Sequence, residues 1–376
     1  MVIRLRNGTV VAVTAERPGA VELRVQPDGG GPSVDAVAYT ALVGPVREGD
    51  RVISNAIALE LGLGTGGADI VEAVLREDDV VAGSEGRIVK LRYSPHQANV
   101  TAVEEEGSPH RDAMEAATTL GGVPVVWTPL HSMVGPVAAG ARAAGADRVV
   151  YVMTDGAALV ASLSRLAHSL REAGLLHAVI TVGQSFGGDL EAVSVFSGLL
   201  AARAVAGADV IVLGDGPGNT GTGTTWGASD VTSAMSLNAA SILEGRAIAT
   251  LRMSFADPRE RHHGVSHHVL TALSRVAMAP VHVAVPTIED EGRRAEVWAV
   301  LTGAGLDVRH QLVEANGAPA LDLLAGHGIP VTSMGRSIED DREFFLAAGA
   351  AGVLAGRLAA GSRLWQPEGQ EGPRAG

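Results

Sequence analysis

Cysteine is absent from this 376-residue chain. No disulfide, thiolate nucleophile or cysteine-ligated metal centre can form, so any metal must be held by histidines and carboxylates. Aromatic residues make up only 3% of the sequence, whereas hydrophobic residues reach 46% and glycines number 48. The core must therefore be filled by small and branched side chains packed closely, which suits a parallel α/β sheet. No run of about 18 uncharged apolar residues occurs, and the longest apolar tract, 192–213, is broken by Arg203 and Asp209. Met1 leads directly into the strand-like VIRLRNGTVVAV, with none of the marks of a secretory leader. These absences predict a cytoplasmic protein without a membrane segment. Positive charge is scarce too: the formal net charge is -13. Nucleic-acid binding is disfavoured, since Arg4, Arg6, Arg17 and Arg24 near the amino terminus come without aromatic stacking partners.

What is present divides into two textures. Residues 1–80 read as short strands and turns, with Asn7-Gly8 as a hairpin signal and Glu48-Gly49-Asp50 as a second turn, which predicts a small β-barrel. The glycines at 62, 64, 66 and 67 mark its exit. Residues 81–95 read as a linker. Over 96–360, branched runs such as GVPVVWTP, DRVVYVMT, LHAVITVG, ADVIVLG, AIATLRMSFA, PVHVAVPTI, DVRHQLVE and IPVTSMG alternate with Ala- and Leu-rich helical stretches. Eight such units predict a doubly wound, mostly parallel α/β sheet, with an α/β barrel as the alternative. The tail, 361–376, is expected to fray.

In either architecture ligands collect beyond the carboxyl ends of the strands. The loops there are rich in chemistry, while those at the opposite ends, such as REAGLL and AAGA, are bland. His131 follows the first strand of this region, and QSFGGDLEAV brings Asp189 and Glu191 to an expected helix start, where they could act as acid and base or hold a divalent ion. DGPGNTGTGTTWG follows a later strand, and its Gly216, Gly218, Thr220, Gly221, Thr222, Gly223 and Thr224 could present backbone and hydroxyl donors to an anion. The lysine of a P-loop is missing from it.

SFADPRERHHGVSHH, residues 254–268, is the densest polar stretch. Ser266 looks like a helix cap, which would place His267 and His268 in a first helical turn and leave Asp257, Arg259, Arg261, His262 and His263 in the preceding loop. His262, His263, His267 and His268 are the candidate metal ligands, with further ligands expected from outside the stretch. Asp257 and His263 join His131, Asp189 and Glu191 as candidate catalytic groups, while Arg259, Arg261 and Arg336 suit a clamp on phosphate or carboxylate.

GLGTGG, LHSM, MTDGAAL, FGGDLEA, GTGT and FADPRERHHGVSHH occur in this order over nearly the whole chain. In them the sequence resembles the bacterial domain-of-unknown-function family 3866. The resemblance implies a bacterial, cytoplasmic protein of similar length and carries over no site residue.

The functional expectation is an enzyme, a hydrolase or group transferase, acting on a small anionic or phosphorylated metabolite at the carboxyl edge of the sheet, with a divalent metal as the candidate cofactor. It requires Asp189 and the 257–268 loop to share one site. The alternative is a non-catalytic nucleotide or ligand sensor, with the barrel as its partner-binding module. A homo-oligomer is compatible with either.

Overall fold

The structure is a computed structural model that describes residues 3–62, 67–76 and 85–361. The expected frayed tail lies outside these residues except for Gly361, as do the glycines at 64 and 66. Among the described residues no helix is long and apolar enough to cross a membrane.

Five strands, β1 (Leu5–Arg17), β2 (Ala20–Pro27), β3 (Val34–Tyr39), β4 (Arg51–Asn55) and β5 (Asp69–Leu75), close into a barrel in the order β1-β2-β3-β5-β4. Alternate residues point inward, so Val10, Leu23, Val25, Val52 and Val71 form its core. Asn7-Gly8 is not a turn. The chain runs through it, pairing with β4 over Leu5–Thr9 and with β2 over Gly8–Arg17, so one strand serves both neighbours and closes the barrel. A Cβ on Gly8 would sit 2.6 Å from Val25 Cγ1, so glycine answers here to close strand approach. The hairpin turn falls instead at Pro18-Gly19.

Residues 85–95, expected as linker, contain a short strand and one buried anchor although most of the segment is exposed or half-buried. β6 (Ile88–Lys90) pairs with β7 (Ala98–Val100), and Lys90, the only lysine in the sequence, is fully buried. Its Nζ donates to the carbonyls of Gly183 (2.9 Å), Ser185 (2.9 Å) and Ala192 (3.2 Å) and lies 3.4 Å from Glu191 Oε2. This ammonium pins the segment to the α/β domain.

The main sheet contains β8 (Pro124–Thr128), β9 (Val149–Thr154), β10 (Ala178–Thr181), β11 (Leu190–Glu191), β12 (Val210–Asp215), β13 (Arg246–Thr250), β16 (His282–Pro286) and β17 (Gln311–Ala315). All pairings are parallel, in the open order β11-β10-β9-β12-β8-β13-β16-β17. The chain leaves β8 toward one edge and β12 toward the other, so the winding reverses between these neighbours. Strands such as VVYVMT are buried throughout because helices cover both faces. Val125, Trp127, Val150 and Val152 pack on one face, and Val126, Tyr151, Met153 and Val212 on the other.

Helices 134–143 and 342–359 cross the second face in close contact. A Cβ on Gly140 would lie 2.5 Å from the Gly349 carbonyl, and one on Gly352 would lie 2.1 Å from that of Val137. Backbone meets backbone, so glycine and alanine fill a layer that larger side chains would hold apart.

Two elements differ from expectation. IPVTSM adds no strand: Val331 packs over the 134–143 helix, where its Cγ1 would meet a Cβ on Gly135 at 3.2 Å. The eighth strand is instead β11, where a helix start was expected; the helix begins after Ser194, which caps it. The barrel docks on the sheet domain through Arg17 to the Ser162 carbonyl (3.0 Å) and Arg165 to Glu22 (2.8 and 2.7 Å).

Candidate functional site

Beyond β13 the chain makes a two-residue strand, β14 (Met253–Ser254), that pairs antiparallel with β15 (Gly264–Val265). This short ladder closes the 255–263 segment into a loop and returns the chain to its starting point, where the Ser266 N–H donates to the Arg252 carbonyl at 2.9 Å. The helix then begins at His267, with Ser266 at its cap position. It continues without a break into a π-helical turn over Ala272–Val276, a local widening that often accompanies functional sites.

The consequence is a compact histidine cluster. One ring nitrogen from each of His262, His267 and His268 lies within 4.8 Å of the others. His262 and His268 are buried, and the His267 and His268 rings sit 3.9 Å apart. His268 Nε2 meets the Thr224 carbonyl at 3.1 Å and must donate to it, which leaves Nδ1 facing Asp230 Oδ1 at 3.9 Å. His262 Nδ1 contacts Ser266 Oγ at 2.9 Å. His267 Nε2, His268 Nδ1 and Asp230 Oδ2 are buried with no hydrogen-bond partner among the described residues. Burial pushes His262 down to about 3, with Arg252 as the next cause, and lowers His267 in the same direction. Burial raises Asp230, opposed by His268 and Arg252. Unpartnered imidazole nitrogens, kept neutral by burial in His262 and His267, are what a metal ion requires.

The stretch supplies three potential ligands by itself. His263 is not among them; it is exposed and stands edge-on to Phe255.

The expected anion clamp is differently engaged. Arg259 binds Asp257 in a fork (2.8 and 2.7 Å) and holds its carboxyl well below the usual range. Arg336 spans Asp341 (3.0 Å) and Asp257 (3.4 Å). Asp257 is thus an acceptor within an ion-pair network, and Arg261 is exposed. The glycine-threonine loop is an exposed hairpin that satisfies itself: Gly221 bridges Ala228, the Thr222 N–H donates to the Gly227 carbonyl, and the Thr224 N–H donates to Thr222 Oγ1. Its clearest link to the cluster is the Thr224 carbonyl on His268.

The remaining sequence candidates lie elsewhere. Asp189 accepts from the Val179 N–H (2.7 Å) and pairs with Arg171. Glu191 accepts from the Gly187 N–H (2.6 Å) beside Lys90. From β10 to β13 the sheet order counts four spacings, roughly 19 Å in all at about 4.8 Å each. The requirement that Asp189 and the histidine loop share one site is therefore not met. His131 is spent at both nitrogens. Tyr151 donates its hydroxyl to the Asp215 carbonyl (2.7 Å), so it accepts from His131 Nδ1 (3.2 Å), and His131 Nε2 accepts from Ser164 Oγ (2.6 Å). Burial lowers His131 to about 4 and keeps it neutral.

Two residues of the cluster escaped the reading of the sequence. Asp230 stands in ASDVTS, where it reads as an ordinary helix-start acid. Arg252, in IATLRMSF, carried a usable signal, a charge at the end of an apolar run.

A cavity of about 400 Å³ separates barrel and sheet domain, lined by residues including Tyr39, Leu42, Ile70, Leu159, Phe186 and Pro217. Its lining is mainly apolar and, among the described residues, offers an anion no cationic side chain.

Fold and site together define a two-module α/β protein with a candidate three-histidine metal centre beyond the carboxyl ends of β12 and β13. The chain belongs to the family described as Protein of unknown function (DUF3866), whose model matches residues 35–352. No curated protein and no solved structure matches it.

Proposed function

We propose that the chain is a metal-dependent enzyme acting on a small anionic metabolite by hydrolysis or group transfer, with His262, His267 and His268 as the metal ligands. One observation carries this reading: three histidine nitrogens gather within 4.8 Å, and two of these rings hold a buried, unpartnered nitrogen. An unpaired buried polar atom is costly, and a cation shared by three imidazoles removes that cost. The Thr224 carbonyl and Ser266 hydroxyl would orient two of the rings, as outer partners of metal-bound histidines do.

Three neutral nitrogen ligands suit zinc and neighbouring divalent metals and leave a coordination position for water or substrate. Such an ion lowers the pKa of bound water to about 7 and polarises a phosphoryl or carbonyl oxygen. His262, His267 and His268 would hold such an ion through one nitrogen each.

The test is calorimetric titration of chelator-treated protein with zinc or manganese, followed by turnover assays on a panel of phosphate esters. One equivalent bound, lost in His267→Ala and His268→Ala, with turnover that follows metal occupancy, is the expected result. A wild-type chain that binds no divalent ion overturns it.

A further inference from the structure

Arg252 is a largely buried cation beside the histidine cluster. Its residue exposure is 8%, yet its guanidinium makes no hydrogen bond to any described residue. The nearest carboxylate, Asp230, approaches only to 3.8 Å, and the Asp230 Oδ2 on that side is itself without a hydrogen bond. A guanidinium carries five N–H donors in a planar fork, and here none of them is taken by an acceptor among the described residues, so the fork is free to meet a ligand. Arg259 and Arg336, by contrast, are tied to Asp257 and Asp341.

Formal charge narrows what could meet these donors. Arg252, Arg259 and Arg336 are balanced by Asp230, Asp257 and Asp341, and ligating imidazoles are neutral. A divalent ion at the histidines would leave two positive charges beside Arg252. A phosphate monoester carries close to two negative charges at neutral pH and three oxygens that a guanidinium fork matches; a carboxylate carries one.

We infer that Arg252 is the phosphate-binding residue of the site, holding the phosphoryl oxygens of a phosphate monoester against the metal carried by His262, His267 and His268. This deepens the metal-enzyme reading and rests on it for the second contact. The role expected of the glycine-threonine loop and of Arg259, Arg261 and Arg336 passes to a residue that lies between that loop and those arginines in the chain, just after β13.

Inorganic phosphate is the probe, titrated into the full-length wild-type, Arg252→Met and Arg261→Met proteins, each zinc-loaded and chelator-treated, with acetate as the comparison anion. The expected result is saturable phosphate binding to the loaded wild type, at least tenfold weaker in Arg252→Met at unchanged zinc content, unchanged in Arg261→Met, and far weaker binding of acetate. Phosphate affinity unaltered by Arg252→Met overturns the inference, and equal binding of acetate overturns the choice of phosphate. Should the chain bind no metal, the chelator-treated series decides separately: phosphate binding that depends on Arg252 sustains the residue's role, and none removes it. The Arg252 Nε–H resonance in wild type gives a readout that needs no folded variant; it must shift with phosphate and saturate alongside binding, and a signal that stays still overturns the assignment.

Discussion

His268 and Asp230 face each other at 3.9 Å across a buried gap, the imidazole held by a carbonyl on its far side and the carboxylate by little else than the Val231 N–H. The pair is too far apart for a hydrogen bond and too deeply buried for either partner to be indifferent to the other. Burial favours the neutral acid of Asp230, and positive charge nearby favours its carboxylate instead. Arg252 supplies such charge from 3.8 Å, and a metal on the imidazole lone pair would add to it.

Metal affinity is expected to separate the four histidines of the 262–268 stretch. His267→Ala and His268→Ala should each weaken zinc binding by more than about 100-fold, beyond the 10–100-fold typical of outer-shell changes, while His263→Ala leaves it unchanged. Ser266 makes no side-chain cap bond to its helix, so Ser266→Ala should act through His262 alone and cost about tenfold. Competition against a chromogenic chelator measures all four; a loss in His263→Ala equal to that in His267→Ala would contradict the geometry.

Acid should weaken the fold through His131. Its folded pKa is depressed to about 4 from an ordinary 6.5, so the unfolded chain takes up the proton first as pH falls. The stability is therefore complete above pH 6.5 and is lost as pH falls toward 4, by about 3 kcal/mol. In His131→Asn the difference in unfolding free energy between pH 7 and pH 4, read from urea denaturation, should shrink by about that amount. His282 and His310, also lowered by burial, add to the same loss and stay in the variant.

Lys90 offers a chemical probe because it is the only lysine. An amine-reactive acylating reagent should modify the folded chain at the amino terminus alone and reach Lys90 only at denaturant concentrations that open the domain. Lys90→Met leaves three carbonyls without their donor and Glu191 without its counter-ion, which should cost roughly 3 kcal/mol in unfolding experiments. Rapid acylation in native buffer would show that the segment is not pinned.

Gly8 tests how the barrel closes. A methyl group there meets Val25 and the Gln26 carbonyl at 2.6 and 2.7 Å, so Gly8→Ala should destabilise the chain by about 2 kcal/mol through overpacking. A turn glycine at a hairpin tip would instead point its new methyl group into solvent. Denaturation midpoints distinguish the two, and an unchanged midpoint would contradict the continuous first strand.

Much of the fold can be read from local pattern. Runs such as VVYVMT and VIVLGD are strands because branched residues covered on both faces need no polar alternation. The concentration of polar residues after strands is equally visible, since carboxyl-end loops and bland amino-end loops differ in composition. Pattern misleads where one local signal has two physical origins. Asn7-Gly8 matches a turn, yet its glycine is required by a neighbouring strand. IPVTSM has strand composition, but its apolar side chains are used against a helix. Asp189 resembles a helix cap or a catalytic acid and is an anchor for β10 at the sheet's far edge.

Sequence alone determined the barrel, the parallel sheet and the small-residue core, because each depends on residue type and short-range period. Tertiary structure alone decided which polar residues share a site. The β14–β15 ladder turns His262 back onto His267 and His268, and the order of strands brings Asp230 and Arg252 to them while leaving His131, Asp189 and Glu191 elsewhere. Spatial neighbourhood across a sheet is set by which strands pair, and strand order is a property of the whole packed chain that no local stretch encodes.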